Sequence, residues 1–316
     1  MYGYALRRLA YSGVTLVGLS LVIFLLLRMV PGDVVSQMID LQSEADPRQA
    51  EELRRFFGLD QPWHAQYANW LAGVVTGNLG QSWRLGGSVL SHILNGMSVT
   101  LELALLATLF SVVVGIPCGV WAAVRQNRLE DDALRLASLA GLSVPVFWQG
   151  SMLILLFSLW LHWSPPMRWI SPLDDLGGNL TLMALPAVTL GTASAAVVVR
   201  MTRNAVLEVL RQDYIRTAFA KGLAGRVVLT RHALKNALIP IITVAGLQLG
   251  YLLGGAVVVE EVFTLPGVGR LLLQGLTQRD YPVVQGSILF VAVLFMLINF
   301  LVDLAYAVVD PRIRYS

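Results

Sequence analysis

Five neutral polar side chains, Gln149, Thr192, Ser194, Thr243 and Gln248, are set deep inside long apolar stretches of the sequence. Hydroxyls and amides in such surroundings offer hydrogen bonds to a passing solute, whereas a proton pump or an intramembrane protease would need ionisable or nucleophilic groups there. Glu102 and Asp303 fall near the ends of apolar stretches, where contact with the interface is the ordinary explanation. The four histidines are scattered, with His64, His92 and His162 in or near loops, and the single cysteine, Cys118, stands alone. That pattern gives no metal spacing and no internal disulfide. A GxxxxGKS/T phosphate loop is absent, and the lone GVG at 267–269 lacks the strand and helix of a nucleotide site. The residues on offer are neutral hydrogen-bonding groups at depth, with no nucleotide site and no catalytic constellation beside them.

The elements that carry these residues follow from composition. Hydrophobic residues make up 56% and charged residues 14%, with a mean hydropathy of +0.65, which is far from globular usage and places the chain in a bilayer. A net charge of +3 would point to nucleic acid in a soluble protein, but here basic cytoplasmic loops account for it. Apolar stretches near the length of a spanning helix predict six transmembrane helices, roughly at 9–30, 99–124, 135–160, 181–202, 237–259 and 283–308. The first follows Arg7 and Arg8 as a secretory signal would, yet has no small-residue cleavage site before Arg28 and Pro31, so it reads as an uncleaved anchor. Basic residues concentrate at Arg7 and Arg8, at Arg125, Arg128 and Arg135, in the run from Arg200 to Lys235, and at Arg312 and Arg314. Both termini are therefore expected in the cytoplasm.

Residues 31–98 then form a long external segment with the acids Asp33, Asp40, Glu44 and Asp46 and the aromatics Trp63, Tyr67, Trp70 and Trp83, which suit a headgroup-level or folded cap. Within it, 45–58 predicts a short helix capped by Asp46, opened by Pro47 and followed by Gly58. Proline and glycine make 164–178 an outer loop. In 257–282, Glu260 and Glu261 end a span, Pro266, Gly267 and Gly269 force a turn, and RLLLQGL is too short to cross, predicting a helix at or dipping into the outer surface. Glycine and proline inside the spans, as in GIPCG at 115–119 and GLQLGYLLGG at 246–255, predict close packing through small residues in a bundle that slides.

The densest positive cluster lies at 203–236, between two spans. Val206, Leu210, Tyr214, Thr217 and Lys221 recur at helical spacing and predict one helix with a mixed face, stopped by Gly222 and Gly225. RVVLTRHALKNALIP begins a second helix that runs into the fifth span. A helix tethered to the bilayer at both ends cannot easily lie in a major groove. A lipid-hugging basic loop and a docking element for a soluble partner remain.

The runs DYIRTAFAKGL, RHALKNALIPIITVAGLQLGYLLGGAVVVEEVFTLPGVGRLL, RDYPVVQG and DPRIR, with LRMVPGD, GLDQP, GNLGQS, TLELA and SVPVFW upstream, resemble the membrane subunits of ATP-binding-cassette importers of the dipeptide, oligopeptide and nickel branch. The resemblance covers essentially the whole chain and is most specific at 213–269. It implies an all-α type I importer permease with a first helix over 1–30, the external 31–98 segment and a five-helix core over 99–316. It also implies that 203–236 is the coupling loop carrying the EAA motif, with Arg216, Thr217 and Ala218 at the triplet, Gly222 at its glycine and Ile239 with Pro240 at its end. Asp213, Tyr214, Arg216, Thr217, Ala218, Lys221 and Gly222 are then expected at an ATPase. Glu260, Glu261, Phe263, Pro266 and Gly267 of the 257–282 scoop-like loop are expected to face a binding protein. The partners so implied are a second related permease, two ATPases that bind ATP and Mg, and an extracytoplasmic substrate-binding protein, with the chain itself holding no cofactor or nucleic acid, in a bacterial inner membrane. Arg216 stands where the general motif has glutamate, a departure that leaves residue-level contacts open. The neutral path suits di- and oligopeptides; nickel or a metal chelate is the alternative substrate, and a sensor or structural protein the alternative from another class.

Overall fold

The computed structural model describes residues 2–29, 51–52, 54–55, 58–166 and 168–309. The expected helix start at Asp46 and Pro47, the acids Asp33, Asp40 and Glu44, and the terminal DPRIR lie outside the described residues. The principal helices are α1 (Tyr2–Met29), α2 (Trp63–Val75), α3 (Val89–Val124), α4 (Leu129–Ser143), α5 (Val146–Leu161), α6 (Leu176–Leu210) and α7 (Asp213–Ala220). They are followed by α8 (Gly225–Val262), α9 (Val268–Thr277) and α10 (Tyr281–Val309). Among the described residues the only bridged backbone outside helices is the isolated pair Gln81 and Ser88. Five helices, α1, α3, α6, α8 and α10, are long and apolar enough to cross a membrane, and α4 with α5 makes six if that bent pair is one span.

Two sequence expectations change here. The stretch at 135–160 is not one straight span: α4 and α5 meet at 105°. Pro145 excludes the helical region for the residue before it, and Val144 is accordingly extended at φ −77°, ψ 124°. The second change is length. α3 begins at Val89 instead of 99, and its 36 residues reach about 54 Å, well beyond the ~30 Å of hydrocarbon.

The chain forms two compact units, Met1–Ser98 with Pro266–Leu294, and Val99–Leu265 with Phe295–Ser316. In the first, α1 turns Ser20, Phe24 and Arg28 toward α2 at four-residue spacing. Ser20 Oγ lies 2.9 Å from Tyr67 Oη, and the buried Phe24 ring meets those of Tyr67 and Trp70 at 5.4 and 6.5 Å. A second cluster joins Leu79, Val89, Ile93, Val268, Leu271 and Val283. Ser82 Oγ donates to buried Asp280 Oδ2 at 2.6 Å, which fixes the loop before α3 to the entry of α10. The part of the 31–98 segment that carries Tyr67 and Trp70 is thus folded against α1.

In the second unit α6 is the central span, with 72% of its apolar window buried against 17–39% for the other four. Glycine lets α3 approach it: a Cβ on Gly115 would stand 2.7 Å from Val198, and one on Gly119 2.5 Å from Thr202. Gly191 of α6 is equally close to the Ala107 carbonyl of α3, at 2.7 Å. The same device joins α8 to α10, where Gly246 meets Val302 and Gly250 meets Phe295. At these glycines a neighbouring side chain or carbonyl fills the groove, so the helices approach closely.

Candidate functional site

α6 ends at Leu210, and Gln212 is extended at φ −73°, ψ 149° before α7 starts. This corrects the expectation of one helix through the basic cluster: Val206 and Leu210 belong to α6, Tyr214 and Thr217 to α7, and Lys221 follows it. Asp213 occupies the first turn of α7, where the helix dipole favours an acid.

α7 has two faces. Ile215 (1% exposed) and Ala218 (7%) sink into a small core with Val228 and Ala233 of α8, flanked by Val209, Leu210 and Leu229. Val228 and Ala233 are the first and last residues of a π-helical turn, a widened turn that often marks functional positions. Asn236 Nδ2 donates to Tyr214 Oη at 2.8 Å and ties the two helices again. The outer face carries Asp213, Arg216, Thr217, Phe219 and Lys221, all exposed. The Asp213 and Arg216 pair at 3.3 Å is 94% and 77% exposed, so it contributes little to stability.

The elbow closes at Gly222, whose φ is +80°. Leu223 N–H donates to the Ala218 carbonyl and Gly222 N–H to that of Phe219, at 3.4 and 2.9 Å. Those two bonds define a Schellman stop, which needs a left-handed residue at this position. Beside the elbow lies a cavity of about 750 Å³ whose lining includes the apolar Leu210, Phe219 and Leu229 and the basic Arg128, Arg211 and Arg226. Arg203 Nε and Nη2 donate to Asp131 Oδ1 and Oδ2 at 2.6 and 2.7 Å. Asp131 is fully buried, and Asn127 N–H supplies its carboxylate with a third bond at 3.1 Å.

Of the residues assigned to an ATPase contact, Asp213, Tyr214, Arg216, Thr217, Lys221 and Gly222 are exposed; Ala218 is not and packs inside the elbow. Phe219, 51% exposed, was missed. A helix restarted at Asp213 would have put Ile215 and Ala218 together inward and Phe219 outward. No local signal links Asp131 to Arg203.

Of the five path candidates the structure brings two into contact, Gln149 Nε2 donating to Thr192 Oγ1 at 2.8 Å. Thr243 donates to the Ile239 carbonyl of its own helix at 3.0 Å. Ser194 is buried with no partner for its hydroxyl among the described residues, and Gln248 is half-buried. In the segment assigned to a binding protein, Glu261 and Pro266 are exposed. Glu260, Phe263 and Gly267 are buried, and Thr100 Oγ1 donates to Glu260 Oε1 at 2.6 Å. Glu260 is therefore an internal hydrogen-bond acceptor rather than a surface acid, since a buried carboxylate is tolerable only with donors around it. Among the described residues no group of three His, Cys, Asp or Glu side chains is placed to hold a metal ion.

Comparison with known proteins adds the following. Residues 115–315 match the family described as binding-protein-dependent transport system inner membrane component, and residues 1–104 match the N-terminal family of such membrane components. The chain is 42% identical over 336 residues to the di/tripeptide transport system permease protein DppB of Pseudomonas aeruginosa, covering all of both chains. It is 42% identical over 339 residues to the dipeptide transport system permease protein DppB of Escherichia coli. Against the protein so named in Alkalihalophilus pseudofirmus the figure is 38% over 335 residues, again with full coverage. An inward-facing structure of the MetNI methionine ABC transporter aligns with a TM-score of 0.55 at 20% identity, over 69% of this chain and 96% of that one. The structural likeness is one of fold.

Proposed function

We propose, from the premise that the chain belongs to the binding-protein-dependent transport system inner membrane component family, that it is the membrane-spanning permease subunit of an ATP-binding-cassette importer for di- and oligopeptides. The relatives' names, all peptide permeases, favour peptides over nickel or a metal chelate. The observation that carries the mechanism is the two-faced α7, anchored inward through Ile215 and Ala218 with Phe219, Arg216 and Lys221 outward. A partner ATPase seated on that outer face moves α7, and the shared core with Val228 and Ala233 passes the displacement to α8. α8 is packed on α6, and the glycine contacts of α6 with α3 and of α8 with α10 are suited to sliding. Closure of the ATPases then shifts the balance between inward-open and outward-open states by its differential affinity for the two. In this reading the elbow and both termini face the cytoplasm of a bacterial inner membrane. A second related permease completes the path, an external binding protein delivers the peptide, and ATP and Mg stay on the ATPases.

The test separates the two faces of α7. Phe219→Asp is expected to leave the chain folded while weakening ATPase recovery on co-purification by roughly 30-fold or more, the size of an interface anchor, and to abolish dipeptide uptake. Ala218→Asp is expected to damage the elbow itself, lowering the apparent Tm. Undiminished uptake and ATPase recovery with Phe219→Asp would overturn the docking role.

A further inference from the structure

Within the first unit a cavity of about 380 Å³ lies where the end of α1, α2, the loop before α3 and the start of α10 meet. Among the described residues its lining includes two guanidinium groups, Arg28 and Arg55, and no aspartate or glutamate. Arg55 has Glu51 at 2.9 Å. Arg28 has no carboxylate beside it among the described residues. Its Nε donates to Gln66 Oε1 at 2.9 Å, and its guanidinium lies 4.7 Å from the Phe24 ring centre and 5.3 Å from that of Tyr281. Four N–H groups of the lining are buried with no acceptor among the described residues: Arg28 Nη1, Trp70 Nε1, Trp83 Nε1 and Gln285 Nε2. Gln285 is 4% exposed.

This is a one-sided site. Buried donors without acceptors are costly, and most so on a charged group, unless a ligand supplies the oxygen atoms. A planar guanidinium matches the two oxygens of a carboxylate. Glu51 compensates Arg55, but no described carboxylate compensates Arg28, so the lining disfavours a bare divalent metal ion. The indole and phenol rings of Trp70, Trp83 and Tyr281 offer apolar walls, and the volume is at the small end of ligand pockets.

We propose that this cavity binds the C-terminal carboxylate of a small peptide, with Arg28 and Gln285 as donors and the three rings receiving an apolar side chain. The four donors lie just beneath the cavity wall, and rotation of the Arg28 and Gln285 side chains brings them to the ligand. That the carboxylate belongs to a peptide rests on the proposed function; the preference for an anion rests on the donor set alone.

The full-length chain in nanodiscs of neutral lipid is titrated calorimetrically with the dipeptide Ala-Phe, with its C-terminal amide and with inorganic phosphate. Saturable Ala-Phe binding is expected, weakened at least about tenfold on amidation and by Arg28→Gln, as for loss of a charge-assisted pair. Gln285→Leu removes a buried unpaired donor without opening a void, so it is expected to keep the fold and weaken binding several-fold. Amide binding as tight as that of the free dipeptide, unchanged binding in either folded variant, or equal competition by phosphate would overturn the assignment. If Ala-Phe binds as described while Phe219→Asp leaves uptake intact, the coupling mechanism fails and this site stands; the converse pattern removes this site alone.

Discussion

Arg203 of α6 holds Asp131 of α4 through two parallel hydrogen bonds of 2.6 and 2.7 Å, with the acid fully buried and the arginine side chain 16% exposed. The pair fastens the start of α4 to α6 shortly before the elbow.

Removing one partner of such a pair leaves a buried charge uncompensated. Asp131→Ala is expected to cost roughly 3–5 kcal/mol, read as a lowered apparent Tm in detergent. Replacing both residues with leucine should recover most of that loss, because a buried pair gains little over packed hydrocarbon once both desolvation costs are removed. A double variant as unstable as the single one would contradict this account.

Gly119 and Gly254 provide opposite outcomes from the same substitution. Gly119→Ala places a methyl 2.5 Å from Thr202 Cβ and 2.6 Å from the Val199 carbonyl. Overpacking there should cost about 1–3 kcal/mol and slow peptide uptake. Nothing lies within 4 Å of a Cβ on Gly254, so Gly254→Ala should be neutral or stabilise by up to ~1 kcal/mol through helix propensity.

At Gly222 space is open but φ is +80°. Gly222→Ala is expected to cost about 1–2 kcal/mol from the left-handed conformation alone, loosening the elbow and lowering ATPase recovery. Gly222→Asn should cost less, since asparagine visits that region more readily. Equal recovery for alanine and glycine would remove the Schellman stop as a design element.

Glu260 and Glu261 are neighbours with different tasks. Glu260→Ala removes the buried 2.6 Å bond from Thr100 Oγ1 and should lower stability by roughly 1–3 kcal/mol. Glu261→Lys reverses the charge of an exposed side chain. A binding protein's affinity, measured by surface plasmon resonance, is expected to respond to Glu261→Lys and not to Glu260→Gln.

Much of the architecture is local in origin and legible in the residues. The apolar stretches at 181–202 and 283–308 sit within spanning helices, as do residues 9–29 of the first; residues 164–166 and 168–175 leave the helical state, and RLLLQGL forms its short helix after Gly267. Proline stereochemistry, left-handed glycine and helical periodicity each act within a few residues, so a single sequence carries them. The same holds for the glycines of GIPCG, whose lack of a side chain already permits close approach.

Other features needed the folded chain. Hydrophobicity alone runs through Pro145 and marks one stretch at 135–160, while the 105° between α4 and α5 is set where the two helices find their neighbours. Arg211 and Gln212 carry no breaker that sequence reading weighs strongly, yet the chain turns there because Ile215 and Ala218 find a core on α8. That core turns Ala218 inward and leaves Phe219 outside. Glu260 looks like a surface acid beside Glu261 until Thr100, distant in the chain, caps it. Sequence determined which segments are helices and which family the chain resembles. Tertiary structure decided which polar groups meet, because a hydrogen bond acts over about 3 Å and only packing brings distant residues that close.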